Sequence, residues 1–352
     1  MRVWPVPTLG ISFPRDEGWH PGSTDEWWYF NCHVSSAEGR NYAFAACFFP
    51  QFVLDILVDV SGRRVIHKHG LTGLKFESAA SGLDLRMGPS WWRKVGDEPA
   101  TYDLHYEAEG LSCDLKMTAS KRPLLLGGTG LIREGLLGES YYYAQTSLKV
   151  TGELVLDGRR TALKGKGWID RQWGDWEWSG LGGWRWFSIQ LEGEVEIAGI
   201  QFSHPLTGAV SVQSFSLSRP DGGGEVIGRV GVQELAKWRS PGSKFEYGLG
   251  WRVWSPGRFD LVVRPDVESQ EINKGLWEGG CSVSGTYEGS ESTGRAFVEL
   301  SAGRIYGRTS VRAVLLAIGL LDRTLTKVGV RLRLAERATA TITRLWNAYG
   351  RR

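Results

Sequence analysis

Alternation of apolar and polar residues at a period of two, interrupted by glycine-centred turns, runs through the chain until about residue 300. Tyr102-Asp-Leu-His-Tyr-Glu-Ala108 and Leu111-Ser-Cys-Asp-Leu-Lys-Met117 alternate around Glu109-Gly110. Leu148 to Leu156 runs into Asp157-Gly158, the dipeptide most suited to a two-residue hairpin turn. Further strand pairs follow at Phe187–Leu191 and Val195–Phe202, then at Val210–Ser218 and Phe259–Val263. No stretch before residue 300 keeps a helical period for long. With 47 glycines to supply turns, the pattern predicts an all-β fold.

The pattern also repeats. Val150-Thr-Gly152, Asp157-Gly158 and Gly165-Lys-Gly-Trp-Ile-Asp170 form one copy. Val283-Ser-Gly285, Glu288-Gly289 and Gly294-Arg-Ala-Phe-Val-Glu299 form the second. Both read as a hairpin whose return strand carries an aromatic residue, a β-branched residue and then a carboxylate. A duplicated β-barrel is the economical explanation, joined near residues 178–183. The expected architecture is two tandem antiparallel barrels, at 1–180 and 181–306, with a basic amphipathic helical tail at 307–352. In that tail Val311, Leu315, Ile318, Leu321, Leu325 and Val328 recur at three- and four-residue spacing.

Charge and cysteine usage narrow the function classes. The net charge of +3 is too small to imply nucleic acid. From Gly307 to Arg352 ten basic residues face Asp322 and Glu336, a net +8 on the tail that leaves −5 for the body. Such a tail either packs on the barrels or lies on an anionic membrane surface. Cys32, Cys47, Cys113 and Cys281 form no CxxC, and three lie in strand-like apolar runs, as buried free thiols do in a reducing compartment. The amino terminus has no basic start followed by an apolar run, and the longest apolar run, Ala313 to Leu321, is too short to span a bilayer. A cytoplasmic protein is expected, with membrane contact confined to the tail. His67-Lys68-His69 lacks a third ligand at suitable spacing, and Asp221-Gly-Gly-Gly224 has no Lys-Ser/Thr after it. No metal and no cofactor is expected.

The chemistry-bearing residues are indoles beside carboxylates. Seventeen tryptophans exceed what core filling needs, and they cluster at Asp25-Glu26-Trp27-Trp28-Tyr29 and Gly167-Trp-Ile-Asp-Arg-Gln-Trp-Gly174. A carboxyl held against indole walls keeps its proton more tightly, which makes Glu26 and Asp170 candidate acids. Asp170 and Arg171, adjacent on a strand, must face opposite sides. Trp173, Trp176, Trp178, Trp184 and Trp186 flank the expected join. Tyr141-Tyr142-Tyr143-Ala-Gln145 adds hydroxyls, and Gln190 and Gln201 are polar residues in apolar strands.

Phe13-Pro-Arg-Asp16, Glu26-Trp-Trp-Tyr29, the Gly167–Gly174 motif and Trp277-Glu-Gly-Gly280 together resemble one family. It is the lipocalin-like family of carotenoid 1,2-hydratases (hydroxyneurosporene synthases) and AttH-type proteins, whose scaffold is shared by pericyclases such as the Diels–Alderases of decalin biosynthesis. The resemblance runs from about Phe13 to Leu300. It implies two lipocalin-like barrels and cofactor-free work on a hydrophobic polyene or isoprenoid, by hydration, cyclisation or isomerisation. The hydratases of that family carry a His where this chain has Arg171, and a Tyr and an Asp one strand later that Val195–Phe202 lacks. Arginine has no usable proton near neutral pH, so Arg171 is read as a clamp for a carboxylate, enolate or diphosphate, or as the neutralising partner of Asp170. The expected catalytic set is Glu26, Asp170, Arg171 and Trp173. The expected substrate wall is Trp28, Tyr29, Tyr143, Gln145, Trp184, Trp186, Gln190, Gln201 and Trp277. A non-catalytic lipid or isoprenoid carrier is the alternative. Oligomeric state is left open.

Overall fold

The structure is a computed structural model, described over residues 10–133, 138–176, 182–204 and 207–301, with two further positions at 317 and 321. Its centrepiece is a long hairpin, Gly138–Leu156 with Arg159–Trp176, turned at Asp157 (φ 49°) and Gly158 (φ 78°). Two successive residues with positive φ give the turn whose twist matches antiparallel strands. The hairpin belongs to one sheet of thirteen antiparallel strands from residues 25–176, two of them the short strands Leu124–Leu125 and Leu131–Arg133 that pair with Gly138–Leu156. On one side lie Asp25–Ser36, Asn41–Phe49, Phe52–Asp59 and Arg64–Thr72, and on the other Leu111–Ala119, Ala100–Ala108, Ser90–Asp97, Asp84–Met87 and Phe76–Ser78.

A second sheet of ten strands, from residues 184–301, repeats this order around the hairpin Leu276–Tyr287 with Ser290–Ser301. That hairpin turns at Glu288 (φ 48°) and Gly289 (φ 80°), as the first does at Asp157-Gly158. The glycines shared by the two copies have one cause. A Cβ on Gly165 would lie 2.0 Å from the His33 carbonyl oxygen, and one on Gly294 would lie 2.2 Å from that of Gln190. At the equivalent places in the two halves, neighbouring strands approach too closely for any side chain.

Closed barrels were expected, and this is corrected: each sheet curls into an antiparallel half-barrel whose end strands do not pair. The two sheets pack against each other face to face. One core fills the first half-barrel (Trp28, Phe30, Phe44, Phe48, Trp92, Tyr106) and another the second (Phe187, Phe215, Trp251, Trp277). A third lies between them, built from Tyr29, Ala45, Tyr142 and Trp168 of one sheet and Trp186, Ile200 and Phe297 of the other. Strands at this junction are therefore buried on both faces, as Tyr42 to Phe48 is without a break. The tail at 307–352 lies outside the described residues apart from positions 317 and 321, as do residues 178–181 of the expected join.

Candidate active site

The pleat sorts the motif residues into two environments. Antiparallel register sets Tyr29 opposite Asp170 and Trp27 opposite Gln172 on one face, with Trp28 opposite Arg171 and Glu26 opposite Trp173 on the other. The first face looks onto the second sheet across a cavity of about 500 Å³. Its walls include Trp27, Trp176, Trp184, Trp186, Phe49 and Phe202, and its polar edge carries Asp170, Tyr29, Tyr142, Glu278 and Glu299. Among the described residues no Lys, Arg or His lines it.

Asp170 is the best-defined acid in this cavity. The Trp168 Nε1–H donates to its Oδ1 at 2.7 Å, and the Tyr142 hydroxyl donates to its Oδ2. Tyr142 in turn accepts from the Trp186 Nε1–H at 2.6 Å, so an indole of the second sheet fixes the hydroxyl that fixes the acid. Burial pushes the Asp170 pKa up to about 7 against the lowering effect of these donors, and the nearby Glu299 adds to the rise. Near neutral pH neither the protonated nor the ionised form of this carboxyl is strongly favoured.

The second sheet supplies two further carboxyls. Glu278 and Glu299 stand directly opposite each other in register, on the second half's copy of the central hairpin. Glu299 occupies the place of Asp170: it lies opposite Trp186 as Asp170 lies opposite Tyr29. The Trp184 Nε1–H donates to Glu299, whose pKa burial raises to about 7. Burial and the Glu299 charge push Glu278 well above the usual carboxylate range, against the Tyr29 hydroxyl beside it. Cys47 also lines the cavity, and burial raises its thiol so that it stays neutral.

On the other face, Arg171 is a structural clamp enclosed by protein. Its guanidinium lies 3.9 Å above the Trp28 ring and 5.2 Å from that of Trp173. It donates to the Trp27 carbonyl at 3.0 Å, to the Gly18 carbonyl and to Glu26. His20 completes the group, giving its backbone N–H to both Glu26 oxygens at 3.0 Å and setting its ring 2.9 Å from Oε1. Burial alone would raise the Glu26 pKa; the His20 hydrogen bonds and the Arg171 charge outweigh it and hold it below the usual range.

Several expectations are thereby corrected. Glu26 borders the cavity, but its pKa shift runs opposite to that of an acid poised near neutrality. Arg171 neither lines the cavity nor bridges to Asp170. Trp173 faces away too, stacked on His20 at 4.3 Å. Trp28 fills the first core, and Trp277 the second with its N–H on the Glu268 carbonyl at 2.7 Å. Tyr143 is on the Arg171 face, and Gln145 reaches Tyr102 inside the first half. Gln190 ties the sheets together, donating to the Thr146 and Gly167 carbonyls at 2.8 and 2.9 Å. Gln201 donates to Gln213 at 2.6 Å. Asp170, Tyr29, Trp184 and Trp186 do meet in the cavity, as does Trp176; Trp178 lies outside the described residues. Glu278, Glu299 and the acid-binding role of Tyr142 were missed, although the repeat had already aligned Glu299 with Asp170. Among the described residues no group of three or more His, Cys, Asp or Glu is placed to hold a metal ion, and no helix is long and apolar enough to cross a membrane.

Comparison with known proteins agrees with this architecture. A crystal structure assigned as an AttH protein from Nitrosomonas europaea superposes with a TM-score of 0.73 at 23% identity, covering 84% of this chain and 98% of that one. Kievitone hydratase from Nectria haematococca gives 0.69 at 18% identity, over 84% of this chain and 94% of its own. CghA with Sch210972 gives 0.55 at 12% identity, over 85% and 96%. At these identities the likeness is one of fold. No curated protein sequence matches the chain. The model of the AttH-like family matches residues 56–304, in line with the resemblance carried by the tryptophan–carboxylate motifs, and the chain belongs to the AttH-like family.

Proposed function

We propose that this protein is a cofactor-independent enzyme converting a hydrophobic polyene or isoprenoid by a proton-dependent hydration, cyclisation or isomerisation, in natural-product or terpenoid and carotenoid metabolism. The observation that carries the reading is Asp170, a carboxyl with a pKa of about 7, set in a cavity walled by indoles. A volume of about 500 Å³ falls within the ~300–1,000 Å³ usual for small-molecule sites. The kinship in fold with a hydratase, kievitone hydratase, supports the same direction.

Asp170 would give its proton to an alkene carbon, leaving positive charge on the neighbouring carbon. Indole faces and the new carboxylate stabilise that charge. Three outcomes are open to the cation: capture by water yields an alcohol, capture by a second double bond yields a ring, and loss of another proton moves the double bond. In each case one proton returns to Asp170. The walls contribute by holding a flexible chain in one reactive fold.

The test is to extract any ligand retained on purification, then follow turnover of an isoprenoid panel by mass spectrometry for wild type, Asp170→Asn and Glu26→Gln. Asp170→Asn is expected to lower kcat/KM by about 10²–10⁴. Ligand bound and released unchanged by every form would make the protein a carrier. The +8 tail suits an anionic membrane surface from which an apolar substrate is drawn. Loss of liposome binding on truncation at Gly307 is the corresponding expectation.

A further inference from the structure

The two halves of the cavity differ at one equivalent position. In the first sheet the residue opposite Asp170 is Ala144; in the second, the residue opposite Glu299 is Glu278. The second half thus carries a carboxyl where the first carries a methyl. Glu278 is 2% exposed and lines the cavity, yet its Oε1 has no hydrogen-bond partner. A buried polar atom without a partner is costly, and on a side chain that borders a cavity it is the group a bound ligand is best placed to satisfy.

Its surroundings decide what that is. Tyr29, Glu299 and Asp170 act on Glu278 inside the junction, and Asp55 acts from the first half-barrel. None of these is a cation. Two carboxyls facing each other in a dry site cannot both ionise, so the pair keeps a proton. The Trp184 N–H is committed to Glu299, which makes that residue the favoured seat of the charge and leaves the proton on Glu278. Among the described residues no Lys, Arg or His stands along the wall to offset a negative charge on a ligand.

We propose that Glu278, held opposite Glu299, donates a hydrogen bond from its free oxygen to a carbonyl or hydroxyl oxygen of an uncharged, otherwise apolar substrate, and that the same wall turns away carboxylates and phosphates. The inference rests on the cavity being the substrate chamber and refines the substrate class.

Four probes on one C15 skeleton separate the cases: farnesal, farnesol, farnesoic acid and farnesylamine. Binding is read by tryptophan fluorescence near pH 8 for wild type, Glu278→Leu and Glu278→Gln. Farnesal and farnesol are expected to bind at least about tenfold more tightly than farnesoic acid, and Glu278→Leu to weaken both by about tenfold. Glu278→Gln, whose amide N–H still donates, should restore most of that loss. Preference for the acid or the amine, or a Leu variant equal to wild type, would overturn the proposal. If no probe binds, infrared difference spectroscopy decides. A protonated carboxyl band at neutral pH that vanishes in Glu278→Gln upholds the donor, and its absence removes it. None of these readouts needs turnover, so a failure of Asp170 as the acid leaves them interpretable.

Discussion

Replacing Asp170 by Asn should change the sign of its effect on stability across the pH range. The native chain holds the Asp170 proton up to about pH 7, whereas the unfolded chain releases it near the ordinary value of 3.8. Between those limits the native state binds more protons, so wild-type stability falls as pH rises and levels off above about 7. The rise from 3.8 to about 7, at about 1.4 kcal/mol per pH unit, amounts to about 4 kcal/mol. Asparagine removes that loss but exacts another. Its single amide oxygen cannot accept from both Trp168 and Tyr142, and one stranded donor costs about 1–3 kcal/mol. The variant should therefore be less stable than wild type by about 1–3 kcal/mol near pH 4.5, and more stable by a similar amount near pH 8.5. Urea titrations followed by tryptophan fluorescence across that range would reveal the crossover. A difference between the two proteins that stays constant with pH would refute a raised Asp170 pKa, and with it the chemistry built on that group.

Arg171→Ala strands the Glu26 charge and should cost roughly 3–5 kcal/mol in denaturant titrations, with partial recovery in the Arg171→Ala/Glu26→Gln double variant. Because Arg171 faces away from the cavity, the folded fraction should keep its kcat. Gly165→Ala and Gly294→Ala should each destabilise by about 1–3 kcal/mol or more, since the added methyl meets a neighbouring carbonyl in both halves. All four cysteines are buried and free, and burial pushes the Cys32 thiol up to about 12. Thiol reagents should therefore leave Cys32, Cys113 and Cys281 of the native protein untouched, reach at most Cys47 through the cavity, and label four groups per chain after unfolding.

The β content, the hairpins and the duplication were legible because turn chemistry and alternation are local. Asp157-Gly158 and Glu288-Gly289 fold as their sequences require. Alternation also established that Asp170 and Arg171 part company, but it cannot say which face meets a second sheet. Most of the expected wall consequently belongs elsewhere: Trp28 and Trp277 are core, while their neighbours Tyr29 and Glu278 enter the cavity. A tryptophan reads the same in sequence whether it packs in a core or walls a chamber. The open half-barrels were illegible for a related reason. Whether a sheet's last strand pairs with its first is decided by residues far apart along the chain, which alternation and turn chemistry do not connect.

The clasp of Trp186 on Tyr142 reaches from one half of the molecule to the other. Asp170 thus owes its dry surroundings to a seam, and neither sheet could shelter it unaided. Parted, the faces would be wetted and Asp170 would ionise like any surface aspartate. Mild denaturant that loosens the seam should accordingly extinguish proton donation while each sheet still stands.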